Sequence, residues 1–117
     1  MTALFIGRQE IRGFAALAPM AGVADRAFRR LCVDYGAAYV VSEMVSCKGL
    51  CFGDRKSEEL LMLDEDEHPA AVQLFGDDPD IMARAAEKAM AAGPEIIDIN
   101  MGCPAPKIAG NHCGSAL

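Results

Sequence analysis

The sequence has no apolar stretch close to the roughly 20 residues that a membrane-spanning helix needs, so no membrane segment is predicted. Its first ten residues carry Arg8 and no long apolar run, so no secretory signal is predicted either. Basic residues are few: the chain has 11 Lys and Arg but 17 Asp and Glu, which gives a formal net charge of -6. A general nucleic-acid-binding surface needs cations to neutralise phosphates, and this balance argues against one, although further chain could supply a local basic path.

Two nucleotide-binding signatures are also absent. The chain contains neither a G-x-G-x-x-G loop after its first predicted strand nor a G-x-x-x-x-G-K-[ST] phosphate loop. It also lacks internal repeats, low-complexity tracts and linkers. These absences argue against a dinucleotide-binding or phosphate-loop fold and indicate one small domain.

The cysteines give no sign of a disulfide framework or a metal site. There are five of them, an odd number with irregular spacing, which indicates reduced thiols in a cytoplasmic protein. Cys47 and Cys51 form a C-x-x-x-C pair, but a radical-type iron–sulfur motif needs a third cysteine at position 54, which is Asp54. His68 and His112 have no spacing that completes a zinc site, so no metal is predicted.

What the sequence does contain is an alternation of strand-like and helix-like segments. Apolar runs predict strands at residues 14–18, 38–42, 70–75 and 95–100, and periodic segments predict helices at residues 25–35, 57–63 and 80–92. A small hairpin is also expected within residues 4–11. Repeated strand–helix units predict a parallel sheet, either in a doubly wound fold or in a (β/α)8 barrel.

The residues at the strand ends favour the barrel. Each predicted strand ends in polar, glycine or proline residues, at positions 19–22, 42–44, 73 and 100–104. In a (β/α)8 TIM barrel the chemistry lies at the C-terminal ends of the strands. About four of the eight βα units are present, so residues 1–117 are expected to be the N-terminal half of a barrel whose remaining half is absent.

Cys103 is the leading candidate for chemistry. It lies between Gly102 and Pro104 just after a predicted buried strand, where the thiol would face the mouth of the barrel. A thiol there serves as a general acid or a nucleophile, depending on its pKa. The alternative is a buried structural cysteine. Asn100, three residues earlier, is suited to hold a carbonyl or amide edge of a ligand.

Several blocks of the sequence resemble one family. They are residues 18–29 (APMAGVADRAFR), 42–44 (SEM), 72–76 (VQLFG), 97–107 (IDINMGCPAPK) and the closing GSAL at 114–117. In this order and at these spacings they resemble the tRNA-dihydrouridine synthases, closest to the bacterial B-type branch. The Asn-Met-Gly-Cys-Pro block is specific, whereas Pro-Met-Ala-Gly is similar to segments of other flavin barrels.

The resemblance implies a flavin-binding barrel followed by a helical domain that helps hold tRNA. It further implies bound FMN, NADPH as the reductant, and reduction of a flipped-out uridine to 5,6-dihydrouridine. By motif, Cys103 takes the place of the family's proton donor. Backbone at Pro19, Met20 and Ala21 would lie against the flavin, Gln73 would hydrogen-bond the isoalloxazine edge, and Asn100 would lie near the flavin and the uracil.

Two other functions stay open from the sequence. One is a different FMN barrel that acts on free pyrimidines, similar to dihydroorotate or dihydropyrimidine dehydrogenases. The other is an inactive truncated copy, and the 117 residues alone are expected to be inactive. The remaining charged segments are interpreted as solvated: the arginines of the first helix as an exposed face, residues 64–67 as an exposed acidic loop, and His68 as a loop residue.

Overall fold

The computed structural model of the protein describes residues 3–117. The strands are β1 (Leu4–Ile6), β2 (Gln9–Ile11), β3 (Val40–Val41), β4 (Val45–Ser46), β5 (Ala70–Phe75) and β6 (Ile96–Ile99). The helices are α1 (Arg26–Asp34), α2 (Cys47–Cys51), α3 (Arg55–Leu60), α4 (Pro79–Met90) and α5 (Pro106–Ala109), with short 3-10 turns at Glu65–Glu67 and Gly114–Ala116. None of the helices in this part of the chain has the length and apolar character to cross a membrane.

The predicted hairpin and the predicted parallel sheet are both confirmed. β1 and β2 pair antiparallel, and Gly7 makes the turn at a φ of 59°. β3, β4 and β6 all run parallel to β5. Ala71 pairs with both Val41 and Ile96, so β3 and β6 must lie on opposite edges of β5. Along the sheet, the parallel segments therefore follow one another in chain order.

The prediction of a regular strand at residues 14–18 was wrong. Within residues 14–18 only Leu17 forms a bridge, to Val40, and Phe14 is 91% exposed. The segment still runs alongside β3, because Leu17 N–H donates to Tyr39 O at 3.0 Å and Val41 N–H donates to Leu17 O at 3.3 Å. Within residues 3–117 the segment pairs on one side only, and Pro19 then ends the ladder because it has no N–H to donate.

The second predicted strand is shorter than expected, and the two elements that follow it, β4 and α2, were missed. β3 stops at Val41, although Ser42 N–H still donates to Ala71 O at 2.9 Å, and after residues 43 and 44 β4 resumes pairing farther along β5. Ser46 then caps α2 by accepting a hydrogen bond from Gly49 N–H at 3.0 Å. Gly49 is a poor helix former, which hid α2 from the sequence. A side chain there would collide with Ser57 Oγ, so glycine lets α2 pack closely on α3.

The other helices follow local signals. Asp25 caps α1 by accepting from Phe28 N–H at 2.9 Å, and Asp78 caps α4 in the same way, with Pro79 in the first turn. α3 begins at Arg55 and ends at Leu60, earlier than predicted, because Asp54 is its cap. The turn at residues 114–116 is a 3-10 helix, and α5 before it was not predicted.

The hydrophobic core lies between one face of the sheet and two helices. Its fully buried members come from β4, β5, α2 and α4: Val45, Cys47, Leu50, Val72, Leu74, Ala85 and Ala89. Successive strand residues point to opposite faces, so Ala71 and Gln73 face away from this core. The helix-covered face is therefore apolar, and the face opposite it is free to carry polar side chains.

Two predictions of solvent exposure, for Arg29 and Glu67, were wrong because these residues form a buried ion pair. Arg29 of α1 was interpreted as part of a solvated face, and Glu67 as part of an exposed loop, yet Arg29 is 2% exposed and Glu67 is fully buried. The Arg29 guanidinium bonds both Glu67 carboxylate oxygens at 3.1 Å. It also donates to Ala24 O at 2.8 Å and to Met62 O at 3.0 Å. The charges are buried because they pair with each other, which neither local sequence could reveal.

The prediction that His68 is a solvated loop residue is confirmed, and the structure adds a contact with Glu95. His68 Nδ1 lies 2.8 Å from Glu95 Oε1, and Ala70 N–H donates to Glu95 Oε2 at 2.7 Å. By itself, the burial of the Glu95 carboxyl would raise its pKa. The hydrogen bonds from Ala70 and His68 outweigh burial, so the pKa lies below its ordinary value. The pair ties the start of β5 to the start of β6.

This pair predicts an acid-dependent loss of stability. A carboxyl whose pKa is lower in the folded state stabilises the fold fully above its unfolded pKa, about 4.3 for glutamate, and loses that contribution as pH falls through the folded pKa. Glu95→Gln is expected to cost about 1 kcal/mol at pH 7. The cost should shrink as pH falls below about 4.3. Urea titrations of both proteins at several pH values measure the difference, and a cost that does not change with pH would contradict the assignment.

Candidate functional site

The carboxyl ends of the parallel segments meet at one edge of the sheet. The loop of residues 19–22 follows the Leu17 segment, residues 42–44 follow β3, and residues 100–103 follow β6. Gln73 lies near the end of β5 on the face turned away from the helices. Because these strands are parallel, the polar residues that the sequence places at different strand ends come together here.

Gln73 is the centre of this edge. Its side chain is 5% exposed, and β-ladder register sets it beside Asp98 of β6. Gln73 Nε2 donates to Asp98 Oδ2 at 2.6 Å, and Gln73 Oε1 accepts from Asn100 Nδ2 at 3.0 Å. Its backbone N–H donates to Ser42 Oγ at 3.0 Å. Gln73 therefore connects β3 and β6 across β5.

Asn100 holds the loop that carries Cys103. Asn100 Oδ1 accepts from the N–H groups of both Gly102 and Cys103, each at 3.1 Å. An asparagine that bonds the backbone two and three residues later fixes a turn without any helix or strand. In this structure the Asn100 side chain is occupied by protein partners, so its first role is to shape the cysteine loop.

Cys103 is half-buried in that loop. Its carbonyl accepts from Ser115 N–H at 3.0 Å, which closes the loop against the 3-10 turn at Gly114–Ala116. Gly114 has a φ of 59°, and a side chain there would meet Cys103 O at 2.5 Å. Glycine is required at this position both by the backbone conformation and by the close approach of the cysteine loop. All five cysteines are free within the described residues.

The predicted flavin-contacting loop joins the same network through Glu43. Gly22 N–H donates to Glu43 Oε1 at 2.6 Å, and Ser42 Oγ donates to Glu43 O at 2.8 Å. Since Ser42 Oγ also accepts from Gln73 N–H, hydrogen bonds run without a gap from the loop after Leu17 to the cysteine loop. Pro19 is half-buried in the first of these loops, while Met20 and Ala21 are exposed.

A cleft of about 1010 Å³ opens beside this edge. Its lining includes residues from several strand ends and from the turn after the cysteine loop: Ala21, Gly22, Glu43, Met44, Phe75 and Lys107. Of the predicted site residues only Ala21 lines the cleft, and Gln73, Asn100 and Cys103 do not. The structure brings these last three together beside the cleft, in one hydrogen-bonded group.

Sequence reasoning missed Asp98 and undervalued Ser42. The signal for Asp98 was present, because residues two apart in a strand share a face, and Asp98 precedes Asn100 by two. Ser42 ends the second predicted strand, but its role depends on its contact with Gln73, 31 residues away. Such contacts arise only when the strands pair.

Comparison with known proteins agrees with this arrangement of motifs. The family model for dihydrouridine synthase (Dus) matches residues 16–117. The tRNA-dihydrouridine synthase B of Pseudomonas aeruginosa is 46% identical over 117 residues, which is 100% of this chain and 35% of that protein. The Pseudomonas putida protein of the same name is 48% identical over the same share of each chain. The Vibrio cholerae protein is 45% identical over 96% of this chain and 35% of its own length.

The chain thus spans 35% of the length of these curated relatives. The family match covers the loop after Leu17, the Gln73 strand, the Asn100 turn and Cys103. The chain belongs to the dihydrouridine synthase family.

Proposed function

We propose that this chain carries the cysteine side of an active site that reduces uridine in tRNA to 5,6-dihydrouridine. The single observation that supports this most is the hydrogen-bonded group at the carboxyl edge of the sheet. In it Gln73 bonds Asn100, and Asn100 holds the Cys103 backbone. The family and the names of the relatives, which are tRNA-dihydrouridine synthases, point to the same reaction.

The parallel sheet is, in this proposal, the first part of a (β/α)8 barrel, and residues 1–117 are the N-terminal portion of its flavin-binding domain. The order of the segments supports a barrel, because they lie side by side in chain order, as barrel strands do. A doubly wound sheet instead reverses its strand order at a switch point. The greater length of the relatives leaves room for the remaining strands and for a helical tRNA-binding domain.

The residues at the edge fit an FMN ring. A glutamine amide has two N–H hydrogens and two carbonyl lone pairs, and Gln73 uses one of each on Asp98 and Asn100. It keeps one donor and one acceptor for the edge of a flavin. Within residues 3–117, the N–H groups of Met20 and Ala21 donate to no protein acceptor, so they are free to face a ligand. Pro19, Met20, Ala21 and Gln73 are therefore the residues proposed to hold FMN.

In this proposal, FMN held by Pro19, Met20, Ala21 and Gln73 and reduced by NADPH would supply a hydride for C6 of the uracil ring. Negative charge then develops at C5 and O4 of the ring. The Cys103 thiol neutralises it by giving its proton to C5, which is general acid catalysis, and the thiolate is reprotonated from solvent. Asn100 keeps Cys103 in place, and the family motif assigns it a position near the uracil.

The substrate must leave its stack to reach such a site, as in other enzymes that modify bases. The proposed partners are tRNA and NAD(P)H, and the proposed place of action is the cytoplasm. The chain has an excess of acidic residues, with a net charge of -6, so most of the phosphate contacts are assigned to parts of the protein outside residues 1–117.

The test is uridine reduction by the protein expressed from its complete gene. The purified protein should release FMN on denaturation and, with NADPH, form dihydrouridine in an unmodified tRNA transcript, measured by mass spectrometry of the nucleosides. Free uridine and uracil serve as the controls and should not be reduced. Reduction of the free pyrimidines without any in tRNA would contradict the proposal in favour of a different flavin barrel.

A further inference from the structure

We infer that Asp98 is a positioning residue for Cys103, acting through the amides of Gln73 and Asn100. The inference rests on the proposed function, since it names a further residue of the same site. Asp98 lies on β6 directly opposite Gln73 in the ladder and two residues before Asn100. Its contact with Gln73, at 2.6 Å, is the first bond of a chain that ends at the cysteine loop.

The first step is the orientation of Gln73. An ionised carboxylate only accepts hydrogen bonds, so the group that faces Asp98 must be the amide nitrogen of Gln73. The Gln73 oxygen is then turned toward Asn100. Gln73 is 5% exposed, so little water is available to stabilise the opposite orientation.

The second step is the orientation of Asn100. Because Gln73 presents its oxygen, Asn100 must present its NH2 group to Gln73, and the two lie 3.0 Å apart. The Asn100 oxygen is thereby turned toward the loop, where it accepts from Gly102 N–H and Cys103 N–H. If both amides were reversed, the Asn100 NH2 group would face two N–H donors, and both bonds to the loop would be lost. The Asp98 carboxylate at one end and the two loop N–H groups at the other therefore favour the same direction of both amides.

The third step is the effect on the loop. Met101 is 69% exposed and Gly102 is exposed, so packing does little to hold the segment between β6 and Cys103. The Asn100 oxygen anchors that segment at its start, and Ser115 N–H anchors it after Cys103. Loss of the first anchor leaves the thiol attached on one side only, so its position over a substrate becomes less defined.

The experiment uses the complete protein loaded with FMN. Asp98→Ala is expected to lower kcat for uridine reduction by about tenfold and to leave the KM for tRNA unchanged, because Asp98 contacts no residue that faces the RNA in this proposal. Alkylation of Cys103 by iodoacetamide, measured by peptide mass spectrometry without tRNA, should become about fivefold faster as the loop loosens. Asp98→Asn should restore most of both values, since its oxygen can still accept from Gln73.

A double variant separates positioning from general damage to the fold. An aspartate at position 100 presents oxygens in every orientation, so it needs no relay to face the loop amides. Asp98→Ala should therefore have no effect on Cys103 alkylation in an Asn100→Asp background, where Gln73 can turn and donate to the new carboxylate. Glu95→Gln is the matched control, because it removes a carboxylate from the other end of the same strand and should leave the alkylation rate unchanged.

Each outcome decides the inference. Equal alkylation rates in the wild-type and Asp98→Ala proteins would overturn it, as would an equal acceleration by Asp98→Ala with and without Asn100→Asp. The alkylation readout does not depend on catalysis. If the protein fails to reduce tRNA while the alkylation pattern holds, the proposed function is wrong and the positioning role stands.

Discussion

Replacing Cys103 with alanine in the complete protein is expected to lower dihydrouridine formation by about 10²- to 10⁴-fold, the range for loss of a general acid. Without the thiol, no side chain beside the uracil ring donates a proton to the negative charge that develops there. Water must then supply the proton, which is slower. The measurement is the rate of dihydrouridine formation in a tRNA transcript under saturating NADPH.

The fold and the flavin should survive this change, because the backbone of residue 103 makes the contacts that hold the loop. The N–H of Cys103 donates to Asn100 Oδ1 and its carbonyl accepts from Ser115 N–H, and an alanine keeps both bonds. Within the part of the chain that the structure describes, the Cys103 thiol itself makes no hydrogen bond. FMN content and the unfolding midpoint should therefore match those of the wild type.

Cys32 provides the matched control. It is also a free, half-buried cysteine, and it lies on α1, outside the hydrogen-bonded group of the site. Cys32→Ala should leave the rate of dihydrouridine formation within about twofold of the wild type, since a helical surface substitution away from the site changes little. A Cys103→Ala protein that keeps more than a tenth of the wild-type rate would exclude Cys103 as the proton donor.

Glu67→Gln is expected to lower the free energy of unfolding by about 3 to 5 kcal/mol, the cost of leaving one buried charge without its partner. Arg29 is 2% exposed and makes two of its four hydrogen bonds to the Glu67 carboxylate. Glutamine has nearly the same shape but is neutral, so the guanidinium charge stays buried and loses its counter-charge. Urea denaturation followed by circular dichroism measures the change.

The location of the pair adds a functional consequence. Arg29 also bonds Ala24 O, and Ala24 N–H donates to Met20 O at 2.8 Å, so the pair supports the loop proposed to face the flavin. Glu67→Gln should therefore weaken FMN binding as well as the fold, which a fluorescence titration with FMN detects.

An exposed pair is the control for this prediction. Arg55 and Glu59 form an i,i+4 pair at 3.0 Å in which the Arg55 side chain is 91% exposed. Arg55→Ala should cost at most about 0.5 kcal/mol, because water and ions screen an exposed pair. Similar costs for the Glu67 and Arg55 variants would mean that Arg29 and Glu67 are not buried together in solution.

The sequence by itself determined the elements whose signals are local. β5 was predicted with its observed bounds, because a run of six residues, five of them apolar, lies between proline and glycine. α1 followed from its aspartate cap and α4 from the turn at residues 76–79, each with a glycine after the helix. The parallel direction of the sheet followed from the alternation of strands and helices. The motifs that identify the family are also local, because each is a short sequence segment at the end of a strand.

Only the tertiary structure decided how those blocks act together. The break between β3 and β4, the burial of Arg29 with Glu67, and the pairing of His68 with Glu95 all depend on residues 25 or more positions apart, or on strand register. The same holds for Asp98, whose role depends on lying beside Gln73. A charged residue is stable inside a protein only with its partner, and strand pairing sets which partner it meets. The sequence therefore named Gln73, Asn100 and Cys103, and the parallel register of β5 and β6 joined them with Asp98 into one hydrogen-bonded group.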